Sequence, residues 1–177
     1  MPQSTQRAMR RKDRELSREE TLTVIRHTPH CVIATVDESG TPYATPITAV
    51  LFEGAVYFHS SSDVTGRRYQ NALQNDKVSI VWIGRGETAA DELPKDFSVN
   101  YASAIVEGRI SLVTDEGEKK RVAKAFCLRH VPQAGEEAID KYYAAGGKYV
   151  VFWKVTIDSL SGKARNKQGY FNRILAE

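Results

Sequence analysis

Three strand-like runs joined by very short turns constrain the fold of this 177-residue chain more than any other feature. The runs cover residues 31–37, 42–52 and 55–60, and turn residues at 38–40 and 53–54 separate them. Connections this short join antiparallel neighbours, because a parallel crossover needs a connection of a dozen residues or more. The sequence therefore predicts a series of β-hairpins rather than a βαβ protein.

Further strands and a few helices complete the pattern. Strands are predicted over 77–83, 98–114 and 148–163, and Gly108 inside the second of these suits a bulge or a sharp bend. Residues 84–98 have no clear period and predict a long loop. Helices, two of them opening with a capping box, are predicted over 17–28, 65–75, 115–129 and 136–145. The fold class is therefore mainly β: a small antiparallel barrel with helices packed outside.

The domain organisation follows from charge and length. Six Arg or Lys residues fall within the first eighteen positions, and four acidic residues accompany them by position 20. We expect a basic N-terminal arm over 1–20 and a single barrel domain over 21–177. No aromatic residue is interleaved in the arm for stacking on bases, so a solvated helical arm is favoured over a nucleic-acid contact.

Composition also bears on location and on metal binding. No run is apolar enough to span a membrane, and the N-terminus lacks the apolar core of a secretory signal. The two cysteines, Cys31 and Cys127, are far apart, so no disulfide framework is expected and a cytoplasmic location is predicted. His27, His30 and Cys31 lie close in sequence, but Pro29 interrupts the helix that would align them, so no metal site is predicted.

A candidate anion site follows the third strand-like run. A polar loop over 60–66 leads to Arg67 and Arg68 at the start of a predicted helix. A helix N-terminus binds anions, and guanidinium groups match the oxygens of a phosphate. Positive charges are unfavourable at a helix N-terminus, so either Asp63 pairs with these arginines or a bound anion offsets the cost.

Two neighbouring features have alternative interpretations. Pro46 lies inside the run Thr45-Pro46-Ile47-Thr48, and proline is confined to strand edges or bulges. A local break there would free backbone groups for an aromatic heterocycle, whereas a simple edge strand would not require a ligand. His59, at the end of an apolar strand, is either a ligand contact or a packing histidine.

At these residues the chain resembles the pyridoxamine 5'-phosphate oxidase-like FMN-binding split-barrel family. Within that family it is most similar to the Nim branch, which is associated with 5-nitroimidazole resistance. The similar segments occur in the family's order and cover most of the chain; they are 9–15, 31–48, 56–60, 66–68, 100–110 and 155–163.

The resemblance implies a homodimer with two FMN sites at its interface. It places the cofactor-binding residues at Thr45, Pro46, Ile47, Thr48, His59, Ser60, Gly66, Arg67 and Arg68. In this reading residues 45–48 line the flavin ring and ribityl chain, and the two arginines hold the 5'-phosphate. His59 matches the histidine of the reactive centre in Nim-like proteins, and Tyr101–Ser103 approaches from the partner subunit.

One departure from the family bears on the substrate. The vitamin-oxidising members carry an arginine and a histidine close together near the C-terminus, and this chain offers only Arg173 there. We therefore expect an FMN-dependent oxidoreductase that acts on a nitroimidazole-like or other small organic compound. The alternatives are a deazaflavin-dependent or vitamin-type enzyme on the same barrel, and a non-catalytic flavin- or haem-binding module. A nucleic-acid-binding small barrel is disfavoured.

Overall fold

The computed structural model describes residues 8–90, 92–93, 95–146 and 150–174. Its strands are β1 (His30–Val36), β2 (Pro42–Phe52), β3 (Ala55–Ser61), β4 (Lys77–Ala89), β5 (Ser98–Leu112) and β6 (Val150–Arg165). They form one closed antiparallel barrel in the order β1-β2-β3-β6-β5-β4. The predicted mainly-β barrel with outer helices is confirmed.

The helices begin largely as their capping residues predict. They are α1 (Arg18–His27), α2 (Arg67–Gln74), α3 (Glu116–His130), α4 (Glu136–Gly146) and α5 (Lys167–Ile174). Ser17 and Glu20 form a complete capping box at α1. At α3 the box is only half formed: Asp115 accepts from the amide of Glu118, but the Glu118 carboxylate accepts from Tyr57 instead of closing the box.

The apolar residues form two clusters, one on each face of the barrel wall. The first cluster fills the barrel interior and includes the buried aromatic residues Phe58, Trp82 and Trp153, and α1 packs against β4, β5 and β6 and adds its apolar residues to this cluster. Outside it, α3 covers a second cluster whose buried members are Val50, Ala55, Tyr57, Val113, Val122, Ala123 and Phe152. β3 and the start of β6 are therefore apolar on both faces, because the barrel interior covers one face and α3 covers the other.

The barrel wall is incomplete between β2 and β3. These strands pair only from Ala49–Phe58 to Phe52–Ala55. The preceding part of β2 pairs with β1 alone, and the end of β3 pairs with β6 alone. We call this opening the β2–β3 split. Pro46 lies in the free part of β2, which is the edge environment that a proline requires.

Two predicted boundaries change in the structure. The predicted loop over 84–98 is wrong at its start, because β4 continues through Ala89 opposite the first residues of β5. A register shift between Ile83 and Arg85 interrupts the alternation there, which hides the strand in the sequence. The bulge or sharp bend predicted at Gly108 coincides with a register shift, because Glu107 pairs with Ser159 and Gly108 with Ile157, which leaves Asp158 of β6 as the extra residue.

The described part of the basic segment lies against the barrel. Leu16 is buried, and its amide donates to the carbonyl of Gly162 in β6 at 3.0 Å. The predicted boundary at residue 20 falls inside α1. Residues 1–7, and the predicted strand start at 148–149, lie outside the described residues. In the described part of the chain, no helix has the length and apolar character needed to cross a membrane.

Candidate cofactor-binding site

Arg68, in the first turn of α2, is half-buried beside the β2–β3 split. Its Nη1 donates to Oγ1 of Thr45 at 3.2 Å, and its guanidinium lies 5.4 Å from the ring centroid of Phe58. Burial lowers the pKa of Arg68, and no carboxylate of the described residues forms an ion pair with it. A desolvated guanidinium without a carboxylate partner is a candidate anion-binding group.

Arg67 is held by a different part of the chain. Its Nη2 lies 3.3 Å from Oδ2 of Asp37, and its guanidinium lies 4.6 Å from the ring centroid of Tyr43. Asp63 is engaged elsewhere, because its Oδ1 accepts from the amide and the hydroxyl of Thr65 at 2.9 and 2.7 Å. The sequence alternative in which Asp63 pairs with both arginines is therefore not what the structure shows.

The N-terminus of α2 leaves amide groups for a ligand. Gly66 is the N-cap residue and offers no side-chain cap, and the first turn contains no acidic residue. The first amides of a helix have no partner within the helix, and together with the helix dipole they favour an anion. These amides and the Arg68 guanidinium belong to the same turn.

Ser60 and His59, the two predicted site residues of β3, lie on opposite faces of that strand because side chains alternate along it. Oγ of Ser60 accepts from Nε1 of Trp153 at 3.0 Å, on the barrel side of the strand. His59 points to the opposite face, where its ring packs edge-on against Phe126 with centroids 4.7 Å apart. Burial lowers the pKa of His59, and the charge of Arg68 adds to this effect.

The predicted residues of β2 divide in the same way. Ile47 is buried in the barrel core, so only its backbone can reach a ligand, and Thr45 shares its side of the strand. Pro46 and Thr48 alternate to the outer side, which is also the side of His59. The predicted site residues therefore form a barrel-side group and an outer group, and the β2–β3 split lies between them.

Sequence reasoning missed the residues that fix α2 in place. Nδ2 of Asn71 donates to Oγ1 of Thr35 at 3.1 Å in the buried contact between α2 and β1. Asp37, which holds Arg67, also organises the β1–β2 turn, and hydrogen bonds from Ser39 and Thr41 lower its pKa. The signal for Asp37 was the start of a turn with serine and glycine following.

A family model described as pyridoxamine 5'-phosphate oxidase matches residues 17–164. The match covers well over half of the chain, and the chain belongs to this family. The family predicted from the ordered sequence segments is therefore confirmed.

Several solved structures share the fold at low sequence identity. A proposed 5-nitroimidazole antibiotic resistance protein from Bacteroides thetaiotaomicron has a TM-score of 0.69 and 19% identity, covering 84% of this chain and 85% of that chain. The flavocytochrome Anf3 from Azotobacter vinelandii has a TM-score of 0.72 and 18% identity, covering 90% and 72%. The FAD and heme binding protein from Mycobacterium smegmatis has a TM-score of 0.68 and 16% identity, covering 85% and 72%. These identities establish a shared fold and nothing finer.

A curated relative matches a shorter part of the chain. It is described as the tRNA modification GTPase MnmE from Lachnoclostridium phytofermentans and is 29% identical over 114 residues. The match covers 62% of this chain and 24% of that protein, so the chain spans about a quarter of its length.

Proposed function

We propose that the protein binds FMN at the β2–β3 split and uses it to transfer electrons to or from a small organic compound. The observation that carries this proposal is Arg68, a half-buried guanidinium with no carboxylate partner among the described residues, at a helix N-terminus. Membership of the pyridoxamine 5'-phosphate oxidase family supports it.

The residues present fit the chemical groups of FMN. Arg68, the first amides of α2 and the free donors of Arg67 would hold the 5'-phosphate. The open edge of β2 over 45–48 offers backbone groups to a flat heterocycle, and Thr45 and Ser60 add hydroxyls on the barrel side. The described residues of the site form one group of phosphate-binding donors, which matches the single phosphate of FMN better than the diphosphate of FAD. When bound, FMN supplies hydride or electron exchange.

His59 would act toward the substrate rather than the phosphate. It lies on the outer face, and its lowered pKa leaves the imidazole neutral at pH 7, able to donate or accept a hydrogen bond. A neutral imidazole can donate a hydrogen bond to a nitro or carbonyl group and orient it, and it can accept a proton as a general base. Reduction of a nitroimidazole-like compound is therefore the specific activity that we propose.

We also propose that a homodimer completes the site. Ile83 and Ile105 are 65% and 39% exposed on the outer face of β4 and β5, where no described helix covers them. A second subunit would cover this face and bring its Tyr101–Ser103 segment to the site.

An absorption spectrum after incubation with excess FMN and desalting tests the proposal. We expect retained flavin bands, and chromatography of the denatured sample should identify FMN. Oxidation of a reduced nicotinamide by 2-nitroimidazole should then depend on the bound flavin. Absence of retained flavin would refute the binding site, and a haem spectrum would support the haem-binding alternative. Bound FMN without turnover, across nitro and quinone acceptors, would support a non-catalytic flavin module.

A further inference from the structure

A cavity lies between α3, α4 and the outer face of β3 and β6. Its volume is about 350 Å³, and His59 is the member of the candidate site that lines it. We propose that this cavity is a separate binding site for a small, uncharged, planar aromatic compound. The further statement that this compound is the enzyme's substrate rests on the function proposed above.

The cavity has a continuous aromatic wall, made of Phe152, His59, Phe126 and His130. Ring centroids are 6.4 Å apart from Phe152 to His59, 4.7 Å from His59 to Phe126 and 4.6 Å from Phe126 to His130. Tyr142 of α4 also lines the cavity. Aromatic walls favour flat ligands, because offset-stacked and edge-to-face ring contacts add to the gain from apolar burial.

The polarity of the lining indicates that the ligand is uncharged. No Asp, Glu, Lys or Arg of the described residues lines the cavity. Burial lowers the pKa of His59 and of His130, and it raises the pKa of Cys127 and of Tyr143. These four groups are therefore uncharged near pH 7. A charged ligand would lose its hydration here without a counter-charge in the lining, since Arg68 and Arg129, whose charges help to lower the pKa of His59 and His130, do not line the cavity.

His59 links this cavity to the proposed flavin site. Its ring forms part of the aromatic wall, while its strand neighbour Ser60 and the residue Arg68 belong to the barrel-side group. A compound in the cavity would thus contact the residue to which we assign the substrate role. The phosphate-binding groups do not line the cavity, so the two sites can be tested independently.

Calorimetric titration of FMN-free protein with indole tests the inference. Indole is flat and uncharged and carries one N–H, and we expect a Kd on the order of 0.1–1 mM for so small a ligand. Indole-2-carboxylate has the same ring with a negative charge and should bind at least about tenfold more weakly. Equal affinity for the two compounds would overturn the proposal.

Two variants on α4 provide a matched comparison. Ala138→Trp places a ring in the cavity from its rim and should weaken indole binding at least about tenfold by occupying the volume. Ala144→Trp adds the same ring at an exposed position of α4 that does not line the cavity, and it should leave indole affinity unchanged. Phe126→Leu removes one ring of the wall and should also weaken indole binding. This second variant keeps the test decisive if Ala138→Trp fails to fold. Unchanged indole affinity in both Ala138→Trp and Phe126→Leu would overturn the proposal.

The outcomes separate this inference from the proposed function. FMN affinity should be the same in Ala138→Trp as in the wild type, and loss of both FMN and indole would show that the cavity is part of the flavin site. Indole binding without FMN binding would sustain the cavity and refute the flavin proposal. FMN binding without indole binding would refute the cavity alone. Indole affinity that falls as protein concentration rises would show that a second copy of the chain covers the cavity.

Discussion

Replacing Arg68 with methionine should separate the stability of the protein from its affinity for FMN. In the FMN-free protein this half-buried charge gains one hydrogen bond to Thr45 and a loose contact with the ring of Phe58. The ring contact is worth about 0.5–1 kcal/mol, and a charge-assisted hydrogen bond about 1.5–3 kcal/mol before desolvation is counted. Replacing a desolvated charge with an apolar side chain is often neutral or stabilising, which offsets that loss.

We therefore expect the free energy of unfolding of Arg68→Met to stay within about 1 kcal/mol of the wild-type value. For a chain of this size, that difference corresponds to a Tm change of no more than about 4 °C. FMN affinity should respond differently. Loss of one charge-assisted hydrogen bond to phosphate should weaken binding by about ten- to 150-fold. Thermal unfolding of FMN-free protein and calorimetric titration with FMN measure the two quantities.

Arg109→Met is the matched control. Arg109 is exposed on β5 and pairs with Asp76, just beyond the C-terminal end of α2 and away from its first turn, so FMN affinity should not change. An Arg68→Met protein that binds FMN as tightly as the wild type would refute the phosphate site. One that loses more than about 2 kcal/mol of stability would show that Arg68 has a structural role that outweighs its desolvation cost.

Three further predictions concern the role of His59, the pH dependence of stability and the exposed face of β4 and β5. His59→Ala should keep most of its FMN affinity but lower turnover at least about tenfold, the low side of general acid–base assistance; a lower Tm with unchanged turnover per folded molecule would instead identify a packing histidine. Burial lowers the pKa of His59 and of His130, so the unfolded chain binds more protons in mild acid, and stability should fall as the pH drops below about 6.5. Denaturant titrations from pH 7 to 5 should show this fall, and a variant with glutamine at both positions should show a smaller one. Sedimentation should give roughly twice the chain mass of 19.8 kDa. Ile83→Glu should shift the measured mass toward the monomer, because a carboxylate buried in the interface is costly. A wild-type monomer that binds FMN tightly would refute the interface model.

Local signals in the sequence were enough to predict much of the barrel. The short turns before β2 and β3 specify antiparallel hairpins, and the serine and glutamate at the start of α1 form the predicted box. These features depend on a few neighbouring residues, so they can be predicted from the local sequence alone. The strand at the end of β4 depends on pairing with β5, and the alternation that would reveal it is broken at the register shift near Ile83.

For the candidate site, the sequence supplied a set of residues whose binding role stays a prediction, and it did not supply their arrangement. The family resemblance assigned both His59 and Ser60 to the flavin, but the two-residue period of β3 places them on opposite faces. The partner of Arg67 is Asp37, which lies thirty positions away and comes near only through the β1–β2 hairpin. The aromatic cavity was not predicted, since it forms where α3 and α4 meet the outer face of the barrel.

The most direct test of the account compares FMN with riboflavin in one calorimetric experiment on the wild-type protein. The two ligands share the flavin ring and the ribityl chain and differ only in the 5'-phosphate, which we assign to Arg68 and the first turn of α2. Two or more charge-assisted hydrogen bonds to that phosphate predict that FMN binds at least about 100-fold more tightly than riboflavin. Equal affinities would contradict the account, because they would show that no group of this protein holds the phosphate.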